Sequence, residues 1–229
     1  MPSATSSETT PDLDSGTHTT PASRGWSWAR FSRNAVLMAA LIAAAVVVWE
    51  TSAEPNLVPK NFGTVVEGRL FRSGELTPMA TRTVVEQHGI DLIIDLGAHE
   101  LGSTEERRAQ ATADALGVER LRIPLFGDAT GDPNRYAEVL KIIESSTDRT
   151  VLVHCAAGTQ RTGCLVGLYR SIYENAPTAD VLAEAESFRW DPNDEGSRLR
   201  ESFERWRDPI AGALETGEPI PYDGPTRPR

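Results

Sequence analysis

Cysteine is almost absent from this sequence: Cys155 and Cys164 are the only two. That count excludes a multi-disulfide scaffold and a cysteine-rich zinc site. Histidine is scarce too. His18, His88, His99 and His154 stand at no spacing typical of metal ligands, so neither a structural nor a catalytic metal is expected. Positive charge is in deficit, with 23 Lys and Arg against 33 Asp and Glu and a net charge of −10. A nucleic-acid partner is therefore not expected, although a local positive pocket is compatible with the balance. Long apolar runs are lacking as well: the stretch Ala35 to Trp49, fifteen uncharged residues, is short for a bilayer. What is present is a chain of 229 residues, long enough for one well-cored domain and an appendage.

Residues 1–33 form a polar tail. Up to about Arg24 it is Ser, Thr, Pro and Asp with few large apolar groups, a composition that cannot bury enough surface to order itself. Residues 34–53 admit three readings. In the first they are an uncleaved single-pass membrane anchor, with Trp26, Trp28, Phe31 and Trp49 as interfacial ends. In the second they are a signal peptide cleaved near Thr51-Ser52-Ala53, releasing a secreted or periplasmic protein. The third is a buried helix of the soluble domain. Arg24, Arg30 and Arg33 precede the run and Glu50 and Glu54 follow it, which puts the N-terminus in the cytoplasm and the bulk of the chain on the non-cytoplasmic side. Residues 54–60, with Pro55 and Pro59, are a linker. The folded domain is expected over 61–215, followed by an irregular Pro- and Gly-containing tail over 216–229.

Within the domain, strand and helix signals alternate. Short strands are expected at Thr64–Val66, Leu70–Arg72, Asp91–Leu96, Leu121–Leu125 and Val151–His154. Helices are expected at Thr77–His88, ended by Gly89, and from a Ser103/Glu106 capping box to Leu116, ended by Gly117. Further helices follow at Arg135–Ser145, Cys164–Tyr173, Ala179–Phe188 and Arg198–Trp206. This alternation predicts an α/β domain of three layers, α/β/α, around a mainly parallel sheet. No internal repeat is visible.

The most informative stretch runs from Thr150 to Gly163, T-V-L-V-H-C-A-A-G-T-Q-R-T-G. A buried strand ends at His154, and a short loop leads into an apolar helix. Such a loop aims backbone N–H groups at one point and makes an anion cradle of Ala156, Ala157, Gly158, Thr159 and Gln160. Cys155 at its mouth can be held as a thiolate, and the Arg161 guanidinium offers a planar fork to two phosphate oxygens.

His154, Cys155, Gly158, Arg161, Thr162 and Gly163 together resemble the signature of the cysteine-dependent protein tyrosine phosphatases, in their compact dual-specificity branch. The resemblance covers roughly Asn61 to Trp206 and implies a helical cluster after the signature loop. It implies hydrolysis of phosphate monoesters, most of all protein phosphotyrosine, by a metal-independent enzyme with no cofactor. Cys155 would be the nucleophile and form a phosphocysteine. Arg161 and the loop amides would hold the phosphoryl oxygens, and Thr162 would stabilise the sulfur as it leaves. His154 and Gly163 would support the loop, as would Arg72 in the stretch Phe71-Arg72-Ser73-Gly74. The resemblance also demands a general acid upstream, and the segment Leu125 to Pro133 supplies Asp128, with Asp132 as the alternative. Asp132 has a competing role as a helix cap, and Asp128 lies 27 residues before Cys155 (155 − 128), close beside many relatives. The expected partner is a phosphorylated protein or small phosphoester. A lipid or inositol phosphate phosphatase, or a catalytically silent module that binds phosphorylated residues, are the alternatives. The oligomeric state is left open.

Overall fold

The computed structural model describes residues 28–49 and 54–225. The polar tail before Trp28 and the Thr51-Ser52-Ala53 motif lie outside the described residues. Helix α1, Trp28–Val48, contains all of the uncharged run but its last residue, Trp49. Among the described residues no helix is long and apolar enough to cross a membrane, so the anchor expected over 34–53 is not supported. The physical reason is length. Fifteen uncharged residues rise about 22 Å as a helix, against roughly 30 Å of hydrocarbon, and the first turns of α1 carry Arg30 and Arg33.

The second compact unit begins at Val46. After a single turn, α2 (Glu54–Leu57), its elements are β1 (Gly63–Val66), β2 (Leu70–Ser73), α3 (Pro78–His88), β3 (Leu92–Asp95), α4 (Thr104–Leu116), β4 (Glu119–Arg122), α5 (Pro133–Ser145), β5 (Val151–His154), α6 (Gln160–Tyr173), α7 (Thr178–Ser187) and α8 (Leu199–Thr216). The strands form one sheet in the order β1-β2-β5-β3-β4. Only β1 and β2 pair antiparallel; β2–β5, β5–β3 and β3–β4 are parallel. This is the mainly parallel α/β/α domain that the alternation predicts.

Side chains alternate across the sheet and so build two cores. Leu92, Ile94, Val151 and Val153 face one side, where they pack with residues of α5 to α8 such as Leu140, Leu165, Val181 and Phe203. Ile93 and Leu152 face the other, against Val84, Ile90 and Val118 around α3 and α4. Parallel strands are buried on both faces, and all four residues of β2, β3 and β5 are buried.

The helix ends follow local chemistry. Thr77 caps α3, accepting from the Ala80 N–H, and Gly89 closes it at φ 65°. Ser103 caps α4 through the Glu106 N–H, and Gly117 closes it at φ 70°. The capping box is only half formed, because the Glu106 carboxylate turns to Arg120 at 3.1 Å instead of returning to the Ser103 amide. Helix α6 begins at Gln160, four residues before the expected Cys164, and two further elements differ from expectation. The fourth strand lies at Glu119–Arg122, earlier than expected, because its parallel register with β3 sets Leu92 opposite Glu119. Helix α8 continues past Trp206 to Thr216 with Pro209 inside it. A proline there costs about 3 kcal/mol or more, yet Ile210, the next residue, is fully buried and keeps the helix on the core.

Candidate active site

The loop after β5 is shaped from outside by groups that take its carbonyls. Lys60 Nζ donates to Ala156 O at 3.0 Å, and the Glu75 N–H donates to the same oxygen at 3.2 Å. Asn61 Nδ2 donates to Ala157 O at 2.8 Å, and Arg72 Nη2 to Gly158 O at 2.8 Å. With the carbonyls bound outward, the N–H groups of the loop are left for the interior. Gln160 and Arg161 open α6, so their amides have no partner within the helix. A concave set of donors at a helix N-terminus is an anion site.

Glycine is required at two points of this wall. Gly158 has φ +74°, and a Cβ there would meet Gly74 N at 2.5 Å and Ser73 O at 2.7 Å. Gly74 is the mirror case: its Cβ would meet Ala157 O at 2.8 Å. The obstacles are backbone atoms and cannot swing away. Gly158→Ala is therefore expected to cost about 1–3 kcal/mol from backbone strain alone, with a larger proportional loss of turnover as the loop shifts. Thermal unfolding and steady-state rates of the purified variant check both effects.

Cys155 is buried at the loop mouth, 2 % exposed, and its sulfur accepts from the Gly158 N–H at 3.2 Å. Burial alone would raise its pKa. The Arg161 charge, the Thr162 hydroxyl and amide, and the Gly158 amide outweigh burial and hold the thiol below its ordinary value. The Thr162 hydroxyl is fully buried and has no other hydrogen-bond partner. Arg161 is fixed by its Nη1, which donates to Leu96 O at 3.1 Å and to Gly97 O. Its Nε is buried without a protein partner, so one edge of the guanidinium is tied down and another is free for an incoming oxygen.

Arg72 is 1 % exposed and lies under the loop, its guanidinium 3.8 Å from the Phe188 ring centroid. Burial lowers its pKa to about 10, against opposing pulls from Glu184 and Cys155, so it is charged at neutral pH. Gly163 lets α6 approach Arg72 and Leu199; a Cβ would stand 3.0 Å from Leu199 Cδ1. His154 shares the Leu152 face of β5, away from the α6 core. Its Nδ1 is 3.1 Å from Glu75 Oε2, off hydrogen-bond alignment, and Asp95 is opposite it in the sheet register. Burial pushes the imidazole pKa down, but Glu75, Asp95 and Cys155 prevail and raise it. Its charged form therefore stabilises the fold fully below the ordinary histidine range, and that contribution is lost as pH rises through the raised value.

A cavity of about 220 Å³ opens between α3 and α4, behind the loop, with Ser73, Glu75, His99 and His154 on its wall. Neither Cys155 nor Arg161 lines it, so it is separate from the phosphate cradle. The two acidic candidates are held differently. Asp128 Oδ1 accepts from the Thr130 N–H at 3.0 Å and the Thr130 hydroxyl at 2.7 Å, in a half-buried turn. Its carbonyl accepts from the Arg198 N–H at 3.1 Å. Asp132 is the N-cap of α5, with Oδ1 accepting from Asn134 N at 3.0 Å and Asn134 Nδ2 at 2.8 Å. Cys164 is fully buried, and burial pushes its thiol up to about 12, so it is a protonated core residue at neutral pH. Sequence reasoning misses Lys60, Asn61 and Glu75, which brace the loop from as far as 96 residues away in the chain.

A family model described as DSP-PTPase phosphatase fused to NAD+ kinase matches residues 39–205. The chain belongs to that family. Cys155 and Arg161 of the signature loop both lie within the residues matched to this phosphatase family. Among curated proteins it is similar to inositol diphosphatase DSP4 of Arabidopsis thaliana, 31% identical over 117 residues, 50% of this chain and 57% of that protein. Inositol diphosphatase DSP1 of rice (Oryza sativa subsp. japonica) is 29% identical over 121 residues, 50% of each chain. The phosphatase thus spans about half the length of the curated relatives it matches. Among solved structures, the core catalytic domain of the PP-IP phosphatase Siw14 of S. cerevisiae aligns with a TM-score of 0.57 at 20% identity, over 69% of this chain and 93% of that one. P. aeruginosa TpbA aligns with a TM-score of 0.56 at 19% identity, over 69% and 92%. At these identities the structural likeness is one of fold.

Proposed function

We propose that this phosphatase hydrolyses monoesters that present a single phosphate on a long arm, protein phosphotyrosine foremost, through a phosphocysteine at Cys155. The Cys155 thiolate attacks phosphorus in line and the P–O ester bond breaks. Asp128 gives its proton to the leaving oxygen. Water then attacks the phosphocysteine and gives a proton to the Asp128 carboxylate, the S–P bond breaks, inorganic phosphate is released, and the thiolate and the protonated acid are restored. Arg161 and the loop amides hold the three equatorial oxygens as charge redistributes between them, which is where electrostatic catalysis acts. The Thr162 hydroxyl stabilises the sulfur as it leaves. His154 and Arg72 support the loop and transfer no proton to substrate.

The observation that carries the substrate reading is the charge around the cradle. Ala156, Ala157, Thr159 and Gln160 carry no charge. Gln160 Nε2 donates to Asp194 Oδ2 at 3.3 Å, which brings the exposed acidic segment Asp191, Asp194 and Glu195 beside the loop. The ammonium of Lys60 is engaged by the Ala156 carbonyl. One dianionic phosphate is neutralised within such a site, whereas further phosphates on the same substrate would meet carboxylates at the rim.

The second reading, an inositol diphosphate substrate, is favoured by the activity named for the plant relatives. Comparing kcat/KM for a phosphotyrosine peptide and for an inositol diphosphate at equal ionic strength decides between them. The first reading expects the peptide to be preferred about tenfold or more, a difference of roughly 1.4 kcal/mol that one rim repulsion can supply. It also expects Asp194→Lys to narrow the gap. Equal or better turnover of the inositol diphosphate by the unmodified enzyme would establish the second.

A further inference from the structure

Tyr136, on the second turn of α5, is fully buried and belongs to neither the phosphate cradle nor the acidic pair. Its hydroxyl donates to Ala129 O at 2.9 Å, at the residue directly after Asp128. The Tyr136 ring lies in the same buried core as Cys164 on α6, the helix that begins in the phosphate loop. Ala129 needs such a hold. It is 0 % exposed and sits at φ 71°, a left-handed conformation that is uncommon for a residue with a side chain. Beside it, the Ala129 N–H donates to Phe126 O at 3.0 Å, and a Cβ on Gly131 would meet the Phe126 ring at 2.4 Å. The turn is thus folded tightly over its own phenylalanine, while Tyr136 joins it to the body of the domain.

We propose that Tyr136 is a positioning residue that ties the Asp128 loop to the helix beneath the nucleophile, so that proton donor and sulfur keep one register. The proposal rests on Asp128 as the general acid. Tyr136 touches no substrate, and its contribution passes wholly through the placement of the Asp128 carboxyl. Two features of α5 suit the task. Asp132 caps its start, and Asn134 exchanges two hydrogen bonds with the backbone of Ile220 at 2.7 and 2.9 Å. The helix that carries Tyr136 is therefore fixed at the end nearest the loop.

Tyr136→Phe keeps the ring and removes the hydroxyl. Loss of one hydrogen bond that holds the acid predicts about a 3- to 10-fold fall in kcat for a poor leaving group such as tyrosine. An activated phenol, which leaves without a proton, should change less than about twofold, and KM should hold for both. In an Asp128→Asn background the added Tyr136→Phe change should have no further effect on the poor leaving group, because the residue acts only through that carboxyl. Rates are taken well below the unfolding temperature of each variant. If Tyr136→Phe does not fold, Cys164→Ala loosens the core in which the Tyr136 ring is seated and should show a smaller leaving-group dependence that Asp128→Asn likewise erases. A dependence in Asp128→Asn without one in Tyr136→Phe overturns the tether and leaves the acid assignment standing. Equal losses with both leaving groups in Tyr136→Phe also overturn it. An Asp128→Asn variant with no leaving-group dependence removes the acid assignment, and the tether falls with it.

Discussion

Cys155→Ser is expected to reduce turnover of any phosphate monoester by about 10⁴-fold or more while leaving the domain folded. The argument is electrostatic. Arg161, the Thr162 hydroxyl and the Gly158 amide lower the thiol pKa below its ordinary value in spite of its burial, which favours the nucleophilic thiolate. A serine hydroxyl in the same place stays protonated and is a far poorer nucleophile. The substitution exchanges one small buried atom for another and leaves the Gly158 N–H an acceptor, so thermal unfolding should change little. Phosphate affinity should survive, because the cradle amides and the free Nε of Arg161 do not depend on the sulfur. A module that only binds phosphorylated residues would differ at the start, showing binding without turnover in the unmodified chain. Rates with a generic aryl phosphate, with and without chelator, together with an unfolding curve, test the expectation. Turnover that persists in Cys155→Ser, or that a chelator alone abolishes, contradicts it.

Replacing Asp128 with Asn should have the next largest effect, and one that depends on the leaving group. The proposed mechanism requires Cys155 ionised and the acid protonated, two opposite demands that give kcat/KM a bell-shaped pH profile. The lowered thiol pKa places the acidic limb below the ordinary cysteine range. The basic limb follows the loss of the acid's proton. Asparagine has no proton to lose, so that limb should flatten. For tyrosine as leaving group the loss should be on the order of 10²–10⁴-fold, the usual scale of an acid–base role, and much less for an activated phenol. Asp132→Asn should show neither effect. Its carboxylate caps α5 through Asn134, and loss of a cap costs roughly 0.5–2 kcal/mol of stability. The reverse pattern, with the dependence in Asp132→Asn, would move the acid four residues along the chain.

Features fixed by neighbouring residues were legible in the sequence. Thr77 and Gly89 bound α3, and Ser103 and Gly117 bound α4, because caps and left-handed closures are written within a few residues. The signature loop was legible for the same reason, with its strand, cysteine, arginine and glycines within fourteen residues. Features set by distant partners were not. The limits of β4 follow from its register on β3, and α8 outlasts Pro209 because Ile210 finds the core. Arg72 was visible as a candidate only through a short motif, and its bond to Gly158 spans 86 residues. Lys60 and Asn61 stood at the edge of an apparent linker, with nothing local to mark them as braces of a loop 96 residues away. In the sequence nothing local sets Tyr136 apart from Val139, Leu140 and Ile143, the other buried positions of α5. Only the folded chain brings its hydroxyl to the Ala129 carbonyl.

The central claim, that phosphate passes through Cys155, is tested most directly by trapping the intermediate. The enzyme is mixed with an activated aryl phosphate, quenched in acid within the first turnover, and digested for peptide mass spectrometry. The account predicts one phosphoryl group on the peptide containing Cys155, formed in step with a burst of phenol and absent from Cys155→Ser. Rapid phenol release with no phosphoryl group on that peptide, or with the group on another residue, would contradict it.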